Sequence, residues 1–303
     1  MLAQHQLQET SLRYFSEVVR CGSLAEASTR LHVAVSAISR QISNLETALG
    51  TTLFERRPRG MVPTPAGEVL AAYVRRLGLE TERVIEDIQA LHGLQRGTVR
   101  IACSEGFAIA FLPEVITRFR NQYQGIAFRL HASAPAEVTA RVREGDADLG
   151  LTFSRLPEKD IRVEHRQAAP VLALMRPDHP LSSRKALTLA QLLSYPLALP
   201  DSDTTLRQVI DIACSRQQLS LEPVLTSNRI ESLYNFVLLS GGITLSGDVA
   251  AHHAVGQGAM VAIPLKDASI ALRDIELQTL MGRTLPAAVQ TFVDYLRESL
   301  KKT

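Results

Sequence analysis

Between His32 and Gly50 the chain reads HVAVSAISRQISNLETALG. Ile38, Ile42, Leu45 and Leu49 recur at steps of four, three and four, the spacing of one buried helical face. Val35 opens the stretch, and the opposite face carries Ser36, Ser39, Arg40 and Ser43, with no carboxylate among them. A helix that needs only solubility more often carries Glu and Lys. Hydroxyl and guanidinium groups donate hydrogen bonds to phosphate oxygens and base edges, whereas phosphates repel a carboxylate. A second cluster, ERRPRG, gathers Arg56, Arg57 and Arg59 beside the turn formers Pro58 and Gly60. Contact with a polyanion is the chemistry the two groups share. On the helical stretch alone, a structural hairpin using Ser for solubility explains the residues equally well.

The elements that position these groups can be read outward from them. Leu12, Phe15, Val18 and Val19 form an apolar helical stripe that Gly22 stops. Ser23 and Glu26 have the spacing of a capping box, and Leu24, Ala27 and Leu31 give the next helix its inner face. Ala25, Ala27 and Ala34 are small, as close helix crossing requires. Two short helices joined by the turn HVAV make a helix-turn-helix, whose second helix is suited to a DNA major groove. The following LFERRPRGMVPT reads as strand, turn, strand. A basic hairpin in that position is a wing, placed to touch backbone or minor groove.

Thr64 and Pro65 suit the N-cap and first position of a helix running to about His92. Leu70, Leu77, Val84 and Leu91 are spaced by seven, with Val74, Thr81 and Ile88 between them. This is a heptad seam over about three heptads. It calls for a partner, and self-association is favoured over packing on the chain's own C-terminal part. Two chains would present two recognition helices to paired half-sites. Gly78 weakens the helix by roughly 1 kcal/mol relative to Ala and marks a bend.

After a hinge-like break at residues 95–97, strands and helices alternate in the manner of a parallel α/β sheet, and a second such set begins near Ala169. Two α/β lobes leave a ligand cleft beyond their strand ends. Its candidate residues are Ser104, Glu105, Gly106, Ser133, Thr152 and Ser154 from the first set, and Ser202, Thr204, Thr205, Asn228 and Thr244 from the second. Free N–H groups at helix starts favour a carboxylate or phosphate, and residues 202–205 make the best such anchor. Capping or turn duty explains each of these residues singly. Glu105 would repel an acid or bind an amine; Arg155 and Arg229 would supply counter-charge or sit solvated.

At 303 residues two domains or three modules are expected. The apolar fraction of 46% and charged fraction of 21% are ordinary for a globular protein. A net charge of +2 means that any polyanion site is local. Three cysteines, Cys21, Cys103 and Cys214, fit a reducing compartment rather than a disulfide framework or zinc site. A redox role for Cys103 stands beside the plainer reading of a small buried thiol. The patterns G-x-S-x-G and H-E-x-x-H and the phosphate-binding loop do not occur, and His131, His165, His179, His252 and His253 show no ligand spacing. No catalytic residue, metal ligand or cofactor is therefore assigned. With no apolar run at MLAQHQLQETSLR and no stretch of roughly 20 apolar residues, a cytoplasmic protein without membrane contact is expected.

The segments LRYFSEVVRCGSLAEASTRLHVAVSAISRQISNLETALG and LFERRPRGMVPTPAGEVL together resemble the winged helix-turn-helix of the LysR-type transcriptional regulators. By position, Val35, Ser36, Ser39 and Arg40 would meet DNA, with Arg59 on the wing. Val35 stands where the family often has Gln or Pro, so readout there is lost or becomes contact with a thymine methyl. Pro63 departs from the family pattern and suits an edge strand. The order of later elements, with DHPLSS and SGGITLSG, resembles the family's effector domain; Ser246 and Gly247 stand where Leu and Pro are common.

The fold so implied is an all-α winged helix-turn-helix over 1–63, a long dimerisation helix over 64–93 and a two-lobed α/β effector domain over 94–303 like the periplasmic solute-binding proteins. Lobe one would span about 97–168 plus 267–303, and lobe two 169–266. The implied function is a non-enzymatic regulator, dimeric or tetrameric, that binds promoter DNA and a small molecule, an organic acid being favoured. The effector would alter DNA bending and subunit packing. RNA polymerase is a further partner that this reading admits. The alternative is a cytoplasmic small-molecule-binding protein or α/β enzyme with no DNA role.

Overall fold

The computed structural model describes residues 9–58, 60–91, 97–154, 156–267 and 273–302, without the side chains of 86, 87, 89–91 and 253. Arg59, Arg155, the break at 95–96 and the expected helix end at His92 lie outside the described residues. The chain forms two compact units, the first of 1–94 with 283–286 and the second of 95–282 with 287–303.

The first unit holds α1 (Thr10–Cys21), α2 (Leu24–Leu31), α3 (Val35–Leu49), a hairpin of β1 (Phe54–Arg57) and β2 (Gly60–Pro63), and α4 (Pro65–Leu91). Phe15, Val18, Ala27, Ile38 and Leu53 are fully buried at its centre, where the Phe15 and Phe54 rings lie 5.2 Å apart. Ile42 joins this core and Leu45 lines its edge, but Leu49 is 54% exposed. The apolar face of α3 therefore outruns the core by one turn. Ser23 accepts a hydrogen bond from the Glu26 amide, while the Glu26 carboxylate binds Arg30. Only the first half of the expected capping box forms, because the guanidinium one turn on takes the acid.

The first part of α4 behaves differently from the heptad reading. Leu70, Ala71 and Val74 pack into the core of this unit, so this part of the seam is covered within the chain. Val69, Tyr73, Val84 and Ile88 are the exposed ones. Their steps of four, eleven and four keep them on one side of the helix. Thr81 is buried and bonds back to the Leu77 carbonyl at 2.8 Å.

The second unit has two five-stranded sheets. In strand order, the first is β4 (Ile126–Ala132), β3 (Gly97–Cys103), β5 (Leu149–Ser154), β12 (Asp274–Leu280) and β6 (Ile161–Ala168). The second is β11 (Val261–Pro264), β7 (Val171–Met175), β10 (Ile243–Gly247), β8 (Leu197–Pro200) and β9 (Leu225–Ser227). The expected parallel sheets are mixed. β3, β4 and β5 are parallel, as are β8, β9 and β10, but β12 runs antiparallel to β5 and β6, and β7 to β10 and β11. The chain passes from β6 to β7 and returns from β11 to β12, which inserts between β5 and β6. A hydrogen bond from the Ala169 amide to the Arg273 carbonyl, 3.1 Å long, ties the two crossings together.

Helices cover the sheets: α5 (Glu105–Ile109), α6 (Phe111–Arg120), α7 (Pro135–Glu144) and α12 (Ala287–Leu300) with the first, and α8 (Leu189–Leu192), α9 (Thr205–Arg216), α10 (Ile230–Ser240) and α11 (Asp248–Gly256) with the second. Phe119 packs on Phe128 and Phe292, with centroids 5.9 and 5.0 Å away, joining α6, β4 and α12. Among the described residues no helix is long and apolar enough to cross a membrane.

The wing depends on one close approach. Met61 donates its amide to the Gly22 carbonyl at 2.7 Å, and a Cβ at Gly60 (φ +130°) would sit 2.2 Å from that carbonyl oxygen. Gly60→Ala should therefore lower the stability of the first unit by about 1–3 kcal/mol. Thermal unfolding should show this unit melting earlier while the second is unchanged.

Candidate nucleic-acid interface and ligand cleft

Ile38 and Ile42 hold the back of α3 against the core, and this fixes which side chains face outward. Val35 is 43% exposed; Ser36, Arg40 and Ser43 are exposed and Ser39 is half-buried. Among the described residues none of the four polar side chains has a partner. Ala34 precedes the helix and offers no side-chain cap; its carbonyl accepts the Ala37 amide at 3.0 Å, and among the described residues the Val35 and Ser36 N–H groups are left for an external acceptor.

The acids of this unit are largely engaged. Glu17 pairs with Arg20, Glu26 with Arg30 and Glu55 with Arg57, while Glu46 accepts the Leu53 amide. The small excess of Arg over Glu thus resolves into particular cations, Arg40 on α3 and the exposed Arg56 on the wing, that have no acid partner among the described residues. Arg57, read with Arg56 as one cluster, shares its charge with Glu55 through hydrogen bonds of 2.7 and 3.1 Å.

In the second unit a cavity of about 240 Å³ opens between the two sheets. It lies at the carboxyl ends of β3, β4 and β5 and of β8, β9 and β10, where loops from parallel strands converge. Ser104, Glu105, Gly106, Ser133, Thr204, Thr205 and Asn228 line it, as their loop positions suggested. Four candidates do not. Thr152 is buried behind Ser104, Oγ1 to Oγ 2.9 Å; Ser154 donates to the Leu156 carbonyl; Ser202 points to solvent; and Thr244 is enclosed in the sheet. In each case strand alternation or the turn directs the hydroxyl away from the opening. Thr204 keeps a capping duty as well, accepting from the Arg207 amide at 3.2 Å.

Glu105 neither repels nor awaits a ligand. Its Oε2 accepts the Ile230 amide at 3.1 Å, and its Oε1 lies 3.4 Å from Nε of Arg229. A carboxylate from the first lobe thus occupies the N-terminus of α10 in the second. Beside it, a Cβ at Gly106 would come within 2.9 Å of Ala250 on α11, so the two lobes meet closely there.

The charged group that sequence reasoning missed is Arg273, just before β12. It is 2% exposed, and its guanidinium carbon lies 4.2 Å from the Phe153 ring centre. Among the described residues its Nε and Nη2 have no hydrogen-bond partner. Burial lowers its pKa to about 10, which leaves it charged at neutral pH. Burial likewise raises the Asp248 carboxyl above its ordinary value, with Arg273 pulling the other way. Tyr234 donates to or accepts from Ser246 at 2.9 Å, and burial pushes its phenol up to about 12. The buried Ser133 Oγ also has no partner among the described residues. Nothing in the segment DASIALRD marks Arg273, since one Arg before a strand ordinarily reads as a solvated end.

A family model described as bacterial regulatory helix-turn-helix protein, lysR family, matches residues 10–68, and one described as LysR substrate binding domain matches residues 92–301. The chain belongs to the LysR family. It is a DNA-binding transcriptional regulator with an effector-binding domain, and not an enzyme. The RuBisCO operon transcriptional regulator of Allochromatium vinosum is 27% identical to this LysR-family chain over 236 residues, 77% of each protein. The probable RuBisCO transcriptional regulator of Porphyra purpurea is 31% identical over 239 residues, 75% of this chain and 73% of the relative. Full-length OxyR from Pseudomonas aeruginosa superposes with a TM-score of 0.70 at 19% identity, over 95% of this chain and 94% of that one. Full-length CbnR in complex with its target DNA gives 0.58 at 18% identity, over 95% and 98%. These two likenesses are of fold.

The thiols of this LysR-family regulator are held in their protonated form. Burial pushes Cys103 up to about 12 and Cys214 up to about 11, and burial with the neighbouring Glu17 raises Cys21. A thiol of this kind is a poor nucleophile and a poor oxidation target. At pH 8 a disulfide exchange reagent should leave Cys103 and Cys214 intact in the native protein and consume them at once in denaturant. Above pH 9 the unfolded thiols ionise while the buried ones stay protonated, so the native state binds more protons. Stability should fall as the pH climbs from 9 toward 12, which denaturant melts at stepped pH would record.

Proposed function

We propose that two copies of this chain bind a dyad promoter site, each placing α3 in a major groove and its wing on the adjacent backbone or minor groove. The carrying observation is the outer face of α3, where Ser36, Ser39, Arg40 and Ser43 have no side-chain partners among the described residues. The exposed stripe of Val69, Tyr73, Val84 and Ile88 on α4 supports self-association, as a dimer or tetramer. Residues 1–63, 64–93 and 94–303 are the working divisions of the chain. The protein acts in the cytoplasm, with RNA polymerase as a further partner.

The effector is a small organic acid held between the lobes, a reading supported by the hydroxyls and the buried cation around the cavity. It acts by population shift, favouring one lobe arrangement and so one packing of subunits. The bend imposed on DNA changes with that packing, through a coupling of about 1–3 kcal/mol.

Titration of labelled promoter DNA at several salt concentrations tests the DNA reading. Tight binding that weakens steeply with salt, and a footprint with two-fold symmetry, are expected. Arg40→Ala should lower affinity for the specific site by about 1–3 kcal/mol and affinity for random DNA by less. Arg56→Ala and Arg59→Ala should weaken both kinds of binding and reduce the salt slope by about 0.9 each. Equal losses on all DNA from Arg40→Ala would remove its base-reading role. Replacing both Val84 and Ile88 by Glu should shift the sedimentation coefficient toward a single chain; an unchanged assembly would place the interface elsewhere.

A further inference from the structure

The geometry points to Glu105 as a latch built into the chain: a carboxylate of the first lobe that caps a helix of the second and holds the two lobes together in the unliganded protein. The start of α10 is where the argument begins. Its N-cap residue is Arg229, whose side chain has no acceptor, although Ser, Thr, Asp and Asn are the residues suited to this position. By contrast α9 starts on Thr204, whose hydroxyl accepts the Arg207 amide of its own helix. For α10 the acceptor comes from the other lobe, where Glu105 Oε2 takes the Ile230 amide at 3.1 Å.

Both ends of that bond are firmly seated. Glu105 opens α5, which is anchored in the first lobe by the fully buried Phe107, stacked on Phe153 with ring centres 4.9 Å apart. Ile230 opens α10, anchored in the second lobe by the buried Leu233 and Val237. Gly106 lets the two approach, since a Cβ there would lie 3.4 Å from Cδ1 of Ile230 and 2.9 Å from Ala250 on α11. The first turn of α5 is thus set against α10 and α11 together. Parting the lobes at this edge separates Glu105 from Ile230 and leaves an amide without its acceptor.

Exposure decides which contact does the holding. The Arg229 side chain is 66% exposed, and its 3.4 Å approach to Glu105 is a screened surface pair that contributes little. The Glu105 side chain is 21% exposed, so its bond to the amide is partly shielded from water, charge-assisted and aligned with the helix dipole. The regulatory consequence rests on the population-shift reading of the lobes. An effector in the cavity acts on a cleft that is already latched, and the latch sets the resting population that it shifts.

The test uses the full-length protein with spin labels on Ala136→Cys and Ser202→Cys, exposed positions of the two lobes that each adjoin a cavity-lining residue. Cys21→Ser removes the half-buried thiol, Cys103 and Cys214 being buried, and unlabelled subunits dilute the labelled ones. Two variants break the latch from opposite ends. Glu105→Ala deletes the acceptor. Ile230→Pro deletes the donor, because the first position of a helix tolerates Pro and Arg229, at ψ 114°, already has the extended backbone that precedes one. Without DNA or effector, each variant should shift the label distance to longer values, and the double variant should move it no further than the larger single shift. Glu105→Ala should also speed hydrogen exchange of the Ile230 amide by about tenfold or more. The promoter footprint of the effector-free protein should change in both variants. If one variant fails to fold, the other decides. An unchanged label distance, additive shifts in the double variant, or unchanged exchange at Ile230 would each overturn the latch. A shifted distance with an unaltered footprint would overturn its regulatory role while leaving the DNA reading intact. Absence of promoter binding by the unsubstituted protein would instead defeat the DNA reading, and with it the regulatory role, whatever the label distances show.

Discussion

Two crossings of the chain between its sheets, joined by the Ala169 amide on the Arg273 carbonyl, are the constraint on which the second unit turns. β12 returns from the second lobe and enters the first sheet between β5 and β6, antiparallel to both. The parallel strands of each lobe are left to end on a common opening, where their loops supply hydroxyls, amides and one cation. The cleft is thus a consequence of connectivity before any ligand chemistry is considered. Arg273 stands in the crossing itself, so its backbone serves the hinge and its side chain serves the cavity.

Contacts across that opening are few and specific. Glu105 caps α10 from the other lobe, and Gly106 lets α5 approach α11. A carboxylate on a helix N-terminus is favourable, and breaking it on opening leaves an orphan amide and an unpaired acid. On the proposed mechanism this latch sets a cost that ligand contacts must exceed to rearrange the lobes, and differential affinity for the two arrangements is what permits regulation.

In the first unit the division of labour is between the two sides of one helix. Ile38 and Ile42 fix the rotation of α3 by burial, and rotation alone decides that hydroxyls and Arg40 face outward. The acids nearby are tied to other arginines or to a backbone amide, which keeps that face free of internal competition. Such a surface is costly to neither stability nor solubility, and it leaves its hydrogen-bonding capacity for a partner.

The sequence by itself determined the helix-turn-helix, the wing and the alternation of α/β elements, because these rest on local periodicity and turn chemistry. It also located most of the cleft loops, since residues after strands fall at strand ends whatever the topology. Tertiary structure alone decided the rest. The antiparallel return of β12 follows from which sheet the last strand rejoins, a long-range choice with no local signature. Thr152 and Thr244 fell away from the cavity because one residue of strand phase reverses a side chain, and Ser154 and Ser202 because the turns that follow their strands direct them elsewhere. Leu70 and Val74 share their spacing with a partner-seeking seam, but contact with α1 and the rest of the core claimed them. Arg273 was invisible in the sequence because its meaning is environmental: a guanidinium is ordinary in water, and only burial beside Phe153, within the field of Asp248, gives it consequence.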